Sequence, residues 1–315
     1  MIAPHYPHKS ISSIQALSAA LGVDPKSIVD VAERVNMLHR RGPPQKKADG
    51  TFRETHDALP ELKNIQKRIN QRLLKRIRYP FYLQGALPND KNTLRGPKAN
   101  ADIHRLSRFS VTEDIKQCYD YISASAVRRI WLDVFKFSHA VAELLTRLTT
   151  YQGRLPQGWR PSSYLANLAL YEEEHVLVSW CWQHGFRYSR FLDDITVSNR
   201  NPVSLAKSTL IISKIHALVR HQGMQLKRTK HALSRSRKPI QVTGYNAGGH
   251  RTTLSKPSRR AVRAAVHQYI QASNIPNRDG AALEKQARSI RGRIEYVRQT
   301  DPKLAERLTN KMSAA

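Results

Sequence analysis

The chain has 315 residues and carries 53 Lys and Arg against 24 Asp and Glu, a formal charge of +29. That length supports one large domain or a few subdomains with a real core. The cationic excess, spread along the whole chain, points to a polyanionic partner: nucleic acid before an anionic membrane surface. No apolar run is long enough to span a bilayer, no signal peptide or lipidation site stands out, and Cys118 and Cys181 are too far apart for a Cys-x-x-Cys pair, which excludes a disulfide framework or zinc site and makes a cytoplasmic location the expectation.

Residues 10 to 40 read as helices, with Asp24 as N-cap and Pro25 at the first helical position of one of them. Lys46 to Arg53 contains Asp49-Gly50, a hairpin signal, because glycine accepts the positive φ of a tight turn. Lys46, Lys47 and Arg53 on its arms suit a triphosphate. A helix follows with Leu62, Ile65, Ile69, Leu73 and Ile77 on one side and Lys63, Lys67, Arg68, Arg72, Lys75 and Arg76 on the other, a core-packed helix with a cationic back facing phosphate or water. Tyr79 to Lys98, rich in Pro, Gly and Asn, reads as a long loop ending in Asn100-Ala101-Asp102-Ile103-His104.

Phe109 to Ile115 reads as a strand with Asp114 near its end, and Lys116 to Ser123 leads into a helical stretch that runs to about Thr150. Leu155-Pro156-Gln157-Gly158 makes a bend, and Ser162-Ser163 are placed to cap the apolar helix after it. Phe186 to Ser198 is rich in β-branched and aromatic residues on both sides of Asp193-Asp194, so the pair falls on the turn of a β-hairpin. Two adjacent carboxylates in apolar surroundings repel each other, and a divalent cation such as Mg²⁺ removes the conflict. An amphipathic helix from Leu205 to Gly223 comes next, then extended segments containing Lys230 and Val242-Thr243-Gly244. The last 60 or so residues are basic helices. Leu283, Ala287, Ile290, Ile294 and Val297 share one face, Arg288, Arg291 and Arg293 decorate the surface, and Asp301-Pro302 starts the final helix.

In this order these segments resemble the reverse transcriptases, and within them the bacterial retron type, from about residue 40 to the C-terminus. Asp114-Ile115-Lys116 with Tyr119 resembles the first palm motif. Leu155 to Gly158 with Leu165 to Leu168 resembles the Pro-Gln-Gly motif. Phe191-Leu192-Asp193-Asp194 resembles the catalytic hairpin, with Phe and Leu in place of the usual Tyr and Ala. Asn100-Ala101-x-x-His104 and Val242-Thr243-Gly244 resemble elements particular to retrons. The resemblance implies an α+β right-hand polymerase. Its N-terminal helical segment spans 1–40, its fingers 41–105, its palm 106–245 with finger insertions at about 125–165, and its helical basic thumb 246–315.

Asp114, Asp193 and Asp194 are the expected catalytic residues. With the Ile115 carbonyl they form the expected ligand set for two Mg²⁺ ions. Lys46, Lys47, Arg53, Tyr119, Gln157, Gly158 and Lys230 are expected at the nucleotide. Tyr119 would exclude a 2′-hydroxyl, and Lys230 would protonate the pyrophosphate leaving group or simply contact a phosphate. Asn100, His104, Val242, Thr243, Gly244, Arg288, Arg291 and Arg293 are expected at RNA. The implied activity is reverse transcription of a cognate structured noncoding RNA into a branched RNA–DNA hybrid, from dNTPs, beside an effector protein in anti-phage defence. Two alternatives stay open. One is another bacterial reverse transcriptase, such as a group II intron relative. The other is a non-catalytic RNA-binding scaffold, against which the three retained aspartates argue.

Overall fold

A computed structural model describes residues 2–46, 50, 52–235, 240–275 and 279–314. The chain divides into two compact units. Unit 1 comprises Met1–Gly96, Val111–Val197 and Val203–Leu233, and unit 2 comprises Pro97–Ser110, Ser198–Pro202 and Ser234–Ala315.

Unit 1 begins with helices Ile14–Leu21 and Pro25–Glu33, the second capped by Asp24 as its side chain accepts from Ser27 N. Both pack on helices Pro60–Arg72 and His139–Thr149. Leu62, Ile65, Ile69, Leu73 and Ile77 are all buried, each contributing roughly 1.5–3 kcal/mol of apolar transfer. The expected cationic back is largely exposed, and part of it also bonds to the neighbouring helix. Arg68 Nη1 donates to the carbonyls of Leu21 (3.0 Å) and Gly22 (2.7 Å), and Arg72 Nη1 to that of Ala20 (3.4 Å). These cations satisfy the open carbonyls at the C-terminus of Ile14–Leu21, where a positive charge also suits the helix dipole. The expected single helix to Ile77 stops at Arg72, and a short 3₁₀ turn, Leu74–Arg76, completes it.

A four-stranded sheet organises the middle of the chain. We label its strands β1 (Phe109–Asp114), β2 (Arg187–Phe191), β3 (Asp194–Asn199) and β4 (Ala232–Ser234); their order is β2-β3-β1-β4. The lead-in to the expected helical stretch holds a short helix of its own, Cys118–Tyr121, and the stretch to Thr150 is two helices, Ala124–Asp133 and His139–Thr149. Ser123 opens it and Ser138 interrupts it, each accepting a backbone N–H as an N-cap. The Ser-Ser cap expected at 162–163 is absent: helix Ser162–Leu168 has no side-chain cap, and Ser162 Oγ instead donates to Pro156 O at 2.5 Å. The expected basic hairpin pairs Gln45–Lys46 with Phe52–Arg53; Lys47 of that expectation lies outside the described residues.

In unit 2 the end of the expected loop is helix Pro97–Ile103. A three-stranded sheet follows, in the order Thr253–Leu254, Tyr245–Asn246, Gln241–Val242. Helices Lys256–Ser273, Gly280–Arg298 and Pro302–Ser313 complete the unit. Their buried faces, with Val262, Val266, Ala287, Ile290, Ile294, Val297 and Leu304, share one core with Ala101, Val242 and Tyr245. Among the described residues no helix is long and apolar enough to cross a membrane.

Candidate active site

Strands β2 and β3 are joined by Leu192 and Asp193, so the turn falls one residue earlier than expected: Asp193 sits in it and Asp194 already opens β3. Leu192 has φ 59°, a left-handed value that a side chain such as leucine rarely adopts. The turn is tied to the end of β1 through the backbone, as Ile115 N donates to Asp193 O at 2.9 Å. On its other side, Gly85 lies so close that a Cβ there would come within 2.7 Å of Leu192 N. Any residue but glycine at 85 would displace the turn.

The three carboxylates share one electrostatic neighbourhood. Burial raises Asp193 above the ordinary carboxylate range, and the charge of Asp114 raises it further. Burial also raises Asp194 strongly, reinforced by the charge of Asp193 and a hydrogen bond with Asp114. Asp114, nearly buried at the end of β1, is ion-paired with Lys230 Nζ. Burial alone would pull Lys230 down, but the hydrogen bond and charge of Asp114, with the charges of Asp194 and Asp193, carry it above the ordinary value. Lys230 itself lies on a 3₁₀ turn, Arg228–Lys230, rather than on the expected strand, which starts two residues later at Ala232. Lys227 N donates to Asp114 O at 2.7 Å and so anchors that turn beside the site.

As a donor set the three aspartates fit divalent cations. They are hard oxygen ligands, and Asp193 and Asp194 are raised first by burial and then by their carboxylate neighbours, both of which positive charge would offset. Among the described residues no three His, Cys, Asp or Glu side chains stand as a closed metal-holding group. Lys230 engages Asp114 instead.

A cavity of about 970 Å³ opens over these groups, lined among others by Arg53, Asp114, Tyr119, Gln157, Asp193 and Lys230. Ile115 also lines it, and Phe52 of the basic hairpin stands at it 63% exposed. Arg53 is close enough for its charge to act on both Asp193 and Tyr119. Tyr119 is at the cavity wall rather than in the core. Its hydroxyl lies 3.2 Å from Ser163 Oγ, and burial raises its pKa while that hydrogen bond lowers it. The Pro-Gln-Gly bend is clamped by strand His56–Ala58: His56 N donates to Gln157 O at 2.8 Å, and a Cβ on Gly158, at φ 111°, would fall 2.4 Å from His56 O. Gly158 therefore serves close backbone approach. The sequence did not single out His56, which also meets His39, Nδ1 to Nε2, at 2.8 Å. Cys118 lies under the same site as a buried thiol, pushed up to about 12 by burial.

The residues expected at RNA lie in unit 2. Arg288, Arg291 and Arg293 are exposed on helix Gly280–Arg298, with Arg291 paired to Glu284 at 3.4 Å. Asn100, His104 and Val242 are buried at 1%, 0% and 3%, so their side chains face the interior of the unit rather than a ligand. His104 Nδ1 meets Ser198 Oγ at 2.8 Å. Val242-Thr243-Gly244 is a two-residue hairpin with positive φ at both turn positions, 46° and 85°. Thr243 Oγ1 donates to Pro97 O at 2.6 Å, and Tyr296 OH donates to Thr243 O.

A family model described as "Reverse transcriptase (RNA-dependent DNA polymerase)" matches residues 45–247. The retron Se72 reverse transcriptase of Salmonella heidelberg is 31% identical over 267 residues, which cover 84% of this chain and 69% of that protein. The retron Ec48 reverse transcriptase of Escherichia coli is 24% identical over 295 residues, covering 91% and 72%. Among solved structures, apo telomerase from Candida tropicalis, truncated from its C-terminal domain, matches 47% of this chain and 35% of that one, at 14% identity and a TM-score of 0.38.

Proposed function

This chain belongs to the reverse transcriptase family, as an RNA-directed DNA polymerase of the bacterial retron type with the right-hand polymerase fold, and we propose that it copies a dedicated structured noncoding RNA into DNA that stays joined to that RNA. The observation that carries the catalytic assignment is the convergence of Asp114, Asp193, Arg53, Tyr119, Gln157 and Lys230 on one cavity, with Asp194 beside Asp114. A scaffold that only bound RNA would have no use for two mutually repelling carboxylates, one in a strained turn and the other directly after it.

In this reading Asp114, Asp193, Asp194 and the Ile115 carbonyl would hold two Mg²⁺ ions. When bound, they would lower the pKa of the primer hydroxyl and neutralise the triphosphate. As a ligand, Asp114 would give up its ion pair with Lys230. Lys230 Nζ, released toward the cavity, holds the proton that the pyrophosphate oxygen takes up. Arg53, with Lys46 and Lys47 of the same hairpin, grips the triphosphate. The Tyr119 ring lies under the incoming sugar, where a 2′-hydroxyl would clash, so dNTPs are preferred. Gln157 and Gly158 bring backbone close to the nascent base pair.

Fingers (41–105), palm (106–245, with finger insertions at about 125–165) and thumb (246–315) follow from the family, after an N-terminal helical segment (1–40). Arg288, Arg291 and Arg293 contact phosphates of the RNA or of the duplex. Gly244, exposed at its turn, offers backbone to a structured RNA. Thr243 has its hydroxyl proton committed to Pro97, and Asn100, His104 and Val242 act by holding this surface in shape. The named relatives are retron enzymes. By that kinship, synthesis starts at the 2′-hydroxyl of an internal guanosine and yields a branched RNA–DNA hybrid. The system then works with an effector protein against phage.

The test is incubation of the protein and dNTPs with transcripts from the DNA flanking its own coding region, with and without Mg²⁺. The expected product is Mg²⁺-dependent DNA that comigrates with RNA until a 2′–5′ debranching enzyme releases it. Extension only of an added annealed primer would leave a polymerase without retron initiation.

A further inference from the structure

Beneath the Asp193 turn lies a buried ion pair that the chemistry above does not use. The side chains of Arg190, on β2, and Glu174, at the start of helix Glu174–Gln183, are each 1% exposed. Arg190 Nη2 donates to Glu174 Oε2 at 2.8 Å and to the Asn167 carbonyl at 2.8 Å. Arg190 Nη1 donates to the Leu192 carbonyl at 2.9 Å. Tyr188 OH donates to Glu174 Oε1 at 2.8 Å, so the carboxylate is held from two sides. From across the turn, Asn167 Nδ2 donates to Gly85 O at 2.8 Å and fixes the glycine on which Leu192 N rests.

Stability does not account for this arrangement. Taking two charges out of water is costly, and apolar residues of similar volume in place of a buried pair are often at least as stable. What apolar residues cannot do is donate to a carbonyl. The carbonyl in question belongs to Leu192, whose φ of 59° is unfavourable and which immediately precedes Asp193. Such a conformation persists only where the surroundings over-determine it. A guanidinium is a rigid planar fork that can meet a carboxylate and two carbonyls in fixed directions, whereas an ammonium on a flexible stem cannot.

We infer that Arg190, oriented by Glu174, is a positioning residue: its guanidinium restrains the Leu192 carbonyl and thereby holds Asp193 and Asp194 where they meet Asp114. This inference rests on the catalytic reading of that turn. Arg190→Lys keeps the charge opposite Glu174 but loses the fork. It should lower kcat about 100-fold, the scale of a misplacement near 1 Å, with the KM for dNTP, the affinity for primer–template and the melting temperature close to wild type. A kcat within about threefold of wild type would overturn the inference, as would a loss of kcat matched by a fall in melting temperature.

The discriminating measurement repeats the substitution in a Leu192→Gly background. Glycine adopts a positive φ without restraint, so the loss caused by Arg190→Lys should shrink to about tenfold or less there. An undiminished loss means that Arg190 acts on the general core and sinks the proposal. Should Arg190→Lys not fold, the uncharged pair Arg190→Met with Glu174→Leu removes the same restraint without stranding a charge. Its folded form should show the same loss of kcat, and full activity would overturn the inference. Asp193→Asn run alongside separates the two levels. If it retains activity, the catalytic reading falls; if it is dead while Arg190→Lys is fully active, only the positioning role falls.

Discussion

Two hairpins in this chain turn on two residues, and in both the first turn residue is not glycine although its φ is positive: Leu192 at 59° and Thr243 at 46°. Backbone strain of this kind amounts to roughly 1–3 kcal/mol per residue, and the two units balance it differently. At Thr243 the hydroxyl and the carbonyl are both answered within its own unit, by Pro97 and by Tyr296, and Tyr245 OH is itself bonded to Tyr296 O at 3.1 Å. At Leu192 the backbone is held from below by Arg190, while the neighbouring carboxylates remain in conflict with one another. A strained turn held by bonds within its own unit keeps a shape. A strained turn that gathers buried, mutually repelling carboxylates has a charge conflict that a cation would relieve.

The largest effect should come from removing that charge. Asp193→Asn should reduce DNA synthesis by three orders of magnitude or more, on the scale of losing a transition-state charge contact, with RNA binding in a filter assay unchanged. Substantial cDNA from this variant would make the two turns equivalent and end the comparison. Next is the cationic surface of unit 2. Changing Arg288, Arg291 and Arg293 together to Ala should flatten the plot of log affinity against log salt by about two to three. A slope equal to wild type would assign these side chains to solvent.

The satisfied turn is probed by Gly244→Ala. At φ 85° alanine is strained, and its Cβ would lie 2.9 Å from Tyr296 OH, dislodging the hydroxyl that holds Thr243 O. A destabilisation of about 1–3 kcal/mol is expected, seen as a lower denaturant midpoint, with extension of an annealed primer on an unrelated template largely kept in the folded fraction. If this variant is as stable as wild type but fails to initiate on the cognate RNA, the turn reads RNA directly.

The smallest effect concerns protons. Asp193 and Asp194 have folded-state values raised above those of the unfolded chain. Between the two values the native state holds more protons than the unfolded one, so their contribution to stability grows as pH falls through that window and is lost as pH rises. In EDTA, wild type should therefore gain stability relative to Asp193→Asn/Asp194→Asn as pH drops from neutrality toward about 5. The opposite trend would show that the carboxylates are not in conflict. The Thr243 turn holds no titratable carboxyl and gives no such signal.

How much of this was legible before folding depends on how local each signal is. Asp114, Asp193 and Asp194 were visible because carboxylates between β-forming runs are locally anomalous. Their placement needed only a strand and a hairpin, and the turn was read one residue late. Lys230 was found but put on a strand, since nothing local separates a 3₁₀ turn from extended chain there. The break at Ser138 carries a capping serine, but the apolar content on both sides of it reads as one continuous helix. The bonds of Arg68 and Arg72 to the end of another helix have no local signal, because a helical wheel shows only that their face of the helix meets phosphate or water. Arg190 and Glu174 were out of reach for a related reason. They stand 16 residues apart in sequence, and only the packing of a helix on β2 makes them partners.

The burial of the thiols has a practical consequence. Cys118 beneath the site and Cys181 in helix Glu174–Gln183 are both pushed up to about 12 by burial. At neutral pH neither presents a thiolate, the form that reacts with maleimides or peroxide. The native chain should therefore resist alkylation while folded. A single cysteine introduced at Phe52, exposed at the mouth of the cavity, would carry a fluorophore alone and report hairpin movement as nucleotide arrives.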